Sequence, residues 1–474
     1  MVVYYNRRQF ITRSTLGFAG ASLGLAALGQ RSAHAANVGG YKALVGIMLK
    51  GGMDQNDTVL PVDQPSYEAL KAIRPGIFAG YDSDNEESSR NRTNLLTLNP
   101  TNAERFNGRQ FGLPRELSKI HTLFESGDAA IVGNVGPLLD TANREDFERR
   151  RVELPKRIFS HNDQQSTWMA LGTEGTRKGW GGQIADAVLA SDATMNPLYA
   201  AISATSSDVF LAGERARAFR APEVGRNLAL DLERRRSYLG WGDDADMTRE
   251  KLSAYLRKKS FDHKNLFRKD AIALAGSGVD NQLAFSELVS FAPPLSTIFP
   301  NTRLGRQLGG IAQTMSLRTE LGVSRQVFYA ATGGYDTHNT QAVDLPANHT
   351  ELNEAVAAFH AAMLELGLWD DVLLFTMSDF GRTMVDNGDG CDHGWGGHHF
   401  VMGGSVRGNQ IYGDIPEIDE AHPQYTAKRM RLIPTTSVEQ HAAALGGWFG
   451  LDNTELDKIF PKLSRFDRRA MAFV

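Results

Sequence analysis

Three short segments bring acids and imidazoles together: Gly333-Gly-Tyr-Asp-Thr-His338, Ser378-Asp-Phe-Gly-Arg-Thr383 and Asp392-His-Gly-Trp-Gly-Gly-His-His399. Six of the twelve histidines fall between His338 and His399. Carboxylate oxygens and imidazole nitrogens are the ligand set of zinc and other borderline divalent ions. The interleaved glycines let backbone wrap closely around such a centre. The same residues also have plainer roles open to them: Asp336 as an Asx-turn or helix cap, His393 as a ring stacked on Trp395.

Two upstream segments carry further chemistry. Gly51-Gly-Met-Asp-Gln-Asn-Asp57 offers Asp54 and Asp57 as ligands or as ordinary turn acids. Phe159-Ser-His-Asn-Asp163 offers Ser160 as a nucleophile with His161 near it, or as the N-cap of a helix starting at His161. A helix N-terminus there would also favour an anion. Arg382, just beyond Asp379, has two roles open: a bidentate clamp on a phosphate or sulfate oxygen, or a partner for Asp379 or Asp386.

These residues need elements to position them. Apolar, β-branched runs at 43–49, 129–132, 327–331 and 372–377 predict buried strands, each closed by Gly, Asn or Ser-Asp. Residues 117–125 and 351–368 read as helices; Leu352, Val356, Phe359, Met363 and Leu366 mark the helical period of the second. Strand and helix alternating in this way predict an α/β domain with a largely parallel sheet. Ligands of such sheets lie beyond the carboxyl ends of the strands. That rule points at 51–57, 133–135, 333–338 and 378–383. The charged, helically spaced stretch from about 205 to 320 reads as a helical cap insertion. The polar segment 82–92 reads as a mobile surface loop.

Composition sets the outer bounds. The 474 residues are 42% hydrophobic and 22% charged, within the globular range, so wholesale disorder and fibrous folds are disfavoured. A formal charge of −4 argues against a protein that grips nucleic acid. Cys391 is the single cysteine, so no intramolecular disulfide forms. Residues 1–36 read as an export leader: Arg7 and Arg8 with Phe10 and Ile11 resemble a twin-arginine signal, and Ala33 and Ala35 supply the small side chains of a cleavage site. Its apolar run from Leu16 to Leu28 is too short to span roughly 30 Å of hydrocarbon, so no stable membrane anchor is expected once the leader is removed. The expected location is the periplasm or beyond.

Taken together, the leader, the Gly-Gly-Met-Asp54 turn, Phe159-Ser-His, Gly-Gly-Tyr-Asp-Thr-His338, Ser-Asp-Phe-Gly-Arg-Thr383, Asp392-His-Gly, Pro434-Thr-Thr and Trp448-Phe-Gly resemble the exported bacterial family known as domain of unknown function 1501. The resemblance runs from about 40 to 465. It implies an alkaline-phosphatase-like three-layer α/β/α fold, grouped with the alkaline phosphatases and sulfatases. Tyr335 stands where the family more usually has Trp, and Asp379 where it has Glu. Carried across by motif, the resemblance makes Asp54, Asp336, His338, Asp379, His393 and His398 the ligands of one or two divalent ions, with zinc, manganese or calcium as candidates. Asp392 and Thr337 would orient them, and Ser160 would be the nucleophile by chain order. The implied activity is hydrolysis of a small-molecule or polymer phosphate or sulfate ester, the metal activating Ser160 or a water. The rival expectation is a non-catalytic exported protein that binds a surface polymer or assists assembly of an exported complex. A nucleotide-binding oxidoreductase is disfavoured, because no Gly-x-Gly-x-x-Gly follows the first strand. None of these features sets an oligomeric state.

Overall fold

Strands form where the sequence concentrates apolar and β-branched residues. The computed structural model describes residues 40–206, 208–221, 223, 254–259 and 264–474. Its principal strands are β1 (Lys42–Leu49), β2 (Ala129–Gly136), β3 (Ala201–Ser203), β4 (Phe219–Arg220), β5 (Arg325–Thr332) and β6 (Val372–Ser378). A ribbon of β7 (Arg382–Asp386) and β8 (Cys391–His393) then leads to β9 (Gly397–Met402), β10 (Ile411–Gly413) and β11 (Thr436–Ser437). Among the described residues, one large sheet runs β10-β2-β9-β6-β1-β5-β3-β4, with β11 paired to β2. Only β9 runs antiparallel, against β2 and β6; the other pairings are parallel.

Every residue of β5 and β6 is buried, as is β1 apart from its first. Strands covered on both faces have no reason to alternate, which is why they read as continuous apolar runs. The cover comes from α1 (His161–Ala170) and α2 (Trp180–Ser191) and, after α3 (Leu266–Phe291), which reaches the core mainly through Phe285, from α4 (Arg303–Ser316), α5 (Gln341–Leu366) and α6 (Val438–Phe449). Helices α4 and α5 pack on each other, and α4 on β5. Helix α6 lies on β1, and both α2 and α6 hold the helix Asn453–Ile459. The result is a three-layer α/β/α protein.

Helix α5 begins ten residues before the predicted stretch. Its buried side chains Leu345, His349, Leu352, Val356, Phe359 and Met363 continue one helical stripe upstream, through Pro346. Proline removes only one backbone donor there, and the apolar stripe carries the helix past it.

The expected leader, 1–36, lies outside the described residues, as do 207, 222, 224–253 and 260–263 of the expected insertion at 205–320. Within the described parts of that stretch, β4 joins the main sheet. Helix α4 buries Leu304, Leu308, Ile311 and Met315 in the core. Helix α3 is the part that stands off, with only Gly276 and Phe285 buried. No helix among the described residues is long and apolar enough to cross a membrane.

Candidate metal centre

Strands β1, β5 and β6 end in register, Leu49 beside both Thr332 and Ser378. Their loops therefore meet at one edge of the sheet. Gly51 and Gly52 turn the first loop at φ +119° and +91°, a region that side chains with a Cβ rarely enter. A Cβ on Gly51 would lie 2.4 Å from the backbone nitrogen of Asp336. Gly51→Ala should therefore cost more than about 1 kcal/mol and displace Asp336. Denaturant unfolding and bound-metal content would register both effects together.

Asp336 is the hub. Its Oδ1 lies 3.2 Å from His338 Nε2 and 3.4 Å from His393 Nε2; its Oδ2 lies 3.4 Å from His161 Nε2. The Nε2 atoms of His338 and His393 are 2.9 Å apart. The opposite nitrogen of each ring faces an acceptor. His161 Nδ1 is 2.6 Å from Asp379 Oδ2, His393 Nδ1 is 2.9 Å from the Phe159 carbonyl, and His338 Nδ1 is 3.5 Å from Asp392 Oδ1. With Nδ1–H directed at these acceptors, all three Nε2 lone pairs face the Asp336 carboxylate, and those of His338 and His393 also face each other. At 2.9 Å the His338–His393 contact is satisfied either by a proton on one Nε2 or by a cation bound to both.

A tetrahedral ion with ligands at 2.0–2.1 Å would separate them by about 3.3 Å, close to the spacings seen. The donor chemistry and geometry fit a divalent ion. The ligating atoms of His161, Asp336 and His393 all lie within 4.8 Å of one another.

Electrostatics favour that role at Asp336 and His393 and oppose it at His161. Burial would raise the Asp336 carboxyl, but the hydrogen bond and charge of Arg382, then His161 and His338, hold it below the usual carboxylate range. Burial above all keeps His393 below its usual range, which leaves it neutral and able to bind metal. The hydrogen bond to Asp379, helped by that residue's charge and opposed by burial, raises His161, so a proton competes with a metal at its Nε2. Asp379 is fully buried; its Oδ2 also accepts from Gln165 Nε2 at 2.9 Å. Its Oδ1 has no hydrogen-bond partner among the described residues. A cation on the adjoining His161 would balance that buried charge.

The residues expected at the site divide into two groups. Asp336, His338 and His393 come together, with Asp379 behind His161. Asp54 and His398 do not join them. Asp54 Oδ2 accepts from Arg74 at 2.5 Å and Gln341 at 2.7 Å, and its Oδ1 caps the Asn56 N–H. His398 is buried and its Nδ1 accepts the Asn134 N–H at 3.0 Å. Arg382 reaches the centre, but its guanidinium is wholly buried and donates to the carbonyls of Gly51, Gly52, Tyr335 and Cys391 and to Asp336 Oδ1. Those donors are committed to four backbone carbonyls and Asp336, which leaves none free for a substrate oxygen.

Ser160 does stand at the N-cap of a helix that starts at His161, yet its side chain accepts no backbone N–H there; its hydroxyl donates to Asp163 Oδ2 at 2.9 Å. The imidazole missing from the sequence-based ligand set is His161. Its signal was the Phe-Ser-His motif, where attention falls on the serine.

Fold and centre together define an α/β protein with an Asp/His cluster beyond the carboxyl ends of a mostly parallel sheet. The family described as "Protein of unknown function (DUF1501)" matches residues 41–460, and the chain belongs to it. No curated protein matches it. Similar solved structures include Ps i-CgsB in complex with k-i-k-neocarrahexaose, 7% identical over 90% of this chain and 77% of that one, with a TM-score of 0.34. The lipoteichoic acid synthase LtaP from Listeria monocytogenes is 7% identical over 87% and 72%, with a TM-score of 0.29. The alkaline phosphatase of Thermus thermophilus is 11% identical over 75% and 63%, with a TM-score of 0.25.

Proposed function

We propose that the chain is an exported, metal-dependent hydrolase of phosphate or sulfate esters, small or polymeric. The observation that carries this reading is the convergence of His161, His338 and His393 Nε2 on the Asp336 carboxylate. The residues that would hold the ion stand at an open rim: the side chains of His338 and Asp336 are 42% and 46% exposed, so an ester oxygen can approach them. Export rests on the paired arginines and apolar run of residues 1–36.

Ser160 supplies the nucleophile in this reading. It lies between two residues that both touch the cluster, Phe159 through its carbonyl and His161 through its ring. Burial would raise the buried Asp163 carboxyl, but the Ser160 hydrogen bond, the Glu174 N–H and Arg157 outweigh it and hold it low. An anionic Asp163 orients the hydroxyl by its proton. A bound divalent ion would lower the pKa of that hydroxyl or of a water and stabilise negative charge on the ester oxygens.

The full chain, loaded with metal, should hydrolyse aryl phosphate or aryl sulfate esters. Ser160→Ala should lose on the order of 100-fold or more in turnover while keeping its metal. A metal-loaded wild type inert towards both ester classes would remove the reading and leave the binding-protein alternative.

A further inference from the structure

We infer that the centre takes a single late first-row transition ion such as zinc, and that the acids following β1 are neutralised by two guanidinium groups of the chain itself in place of a second metal. The inference rests on reading the Asp/His cluster as a metal centre and goes further, to the number and class of ion.

The donor set decides the class. His161, His338 and His393 offer three imidazole nitrogens and Asp336 one carboxylate. Calcium and magnesium take six or more ligands, nearly all oxygen, whereas nitrogen-rich tetrahedral sets suit zinc and its neighbours. Two rings are pinned through their other nitrogen, His161 by Asp379 and His393 by the Phe159 carbonyl, and His338 Nδ1 faces Asp392 at 3.5 Å. Asp379 therefore serves as a positioning residue: its Oδ2 is engaged by His161 Nδ1 and Gln165 Nε2.

The buried charges decide the number. Asp54 and Asp57 follow β1 and are almost wholly buried. Arg74, equally buried, pairs with Asp54, and Arg90 pairs with Asp57 and with Glu116. Gln341 Nε2 bridges the two acids, at 2.7 and 3.0 Å, and the Tyr81 hydroxyl donates to Asp57 Oδ2 at 2.7 Å. All four carboxylate oxygens thus have donors. A metal bound there would have to evict a buried guanidinium and leave it unpaired, a heavy cost in a dry interior.

The test is metal content by mass spectrometry on the full chain after equilibration with zinc, calcium and magnesium together, then gel filtration. The expected result is about one zinc per chain with calcium and magnesium washed away. His338→Ala, at an exposed position, should abolish retention; Asp379→Asn should weaken zinc affinity about 10–100-fold without removing the site. Cobalt substituted for zinc should give the visible absorption of a tetrahedral nitrogen and oxygen set. Two ions per chain, calcium or magnesium in place of zinc, no bound metal, or full zinc in His338→Ala would each overturn the inference. One zinc without ester turnover would leave it standing and remove the hydrolase reading. Turnover supported by two ions would do the reverse.

Discussion

Asp336→Asn is expected to strip the centre of metal and abolish ester turnover while the chain still folds. Asparagine keeps an acceptor in reach of Arg382, whose remaining donors already hold four backbone carbonyls. What disappears is the negative charge shared by three imidazoles. Removing a group that merely orients a ligand costs about 10–100-fold in metal affinity, so removing the anionic ligand should exceed roughly 100-fold. Metal analysis and circular dichroism on the same preparation separate the two effects. A folded Asp336→Asn protein that retains its full metal would show that the cluster is no metal centre. His398→Gln is the internal contrast. Its ring lies in the interior on the Asn134 N–H, so the substitution should lower stability and leave metal content unchanged.

That contrast marks where sequence reading carries and where it stops. The strand ends at Leu49, Thr332 and Ser378 were legible to within one residue because fully buried strands read as apolar runs, and the carboxyl-end rule then drew Asp336, His338 and Asp379 to one edge. Which imidazole reaches that edge was not legible for His398. It sits on β9, whose antiparallel course and buried pairings turn it into the interior, while His393, five residues earlier, ends the ribbon at the rim. The cations were hidden more deeply. Arg90 belongs to a polar stretch that reads as a surface loop, yet its side chain is buried against Asp57. Arg74 precedes a proline and gives no sign that it reaches Asp54, 20 residues back. Local composition reports what a segment resembles; long-range charge pairing is decided only when the chain closes on itself.

The same pairing supports the largest expected loss of stability. Arg74→Met leaves Asp54 as a buried, unpaired carboxylate and should cost about 3–5 kcal/mol. Set against a typical total of about 5–15 kcal/mol, that is enough to deplete soluble folded protein. Adding Asp54→Asn removes the orphaned charge and preserves acceptors for Gln341 and the Asn56 N–H. The double variant should therefore recover most of the loss, a coupling visible only in the full cycle of single and double substitutions. It should also keep the metal content of the wild type, because neither residue touches the His161–Asp336–His393 cluster. If Asp54 were instead a ligand, Asp54→Asn/Arg74→Met would fold and come out of purification depleted of metal. Folding recovered with metal retained assigns the first-strand acid to the scaffold; folding recovered with metal lost returns it to the centre.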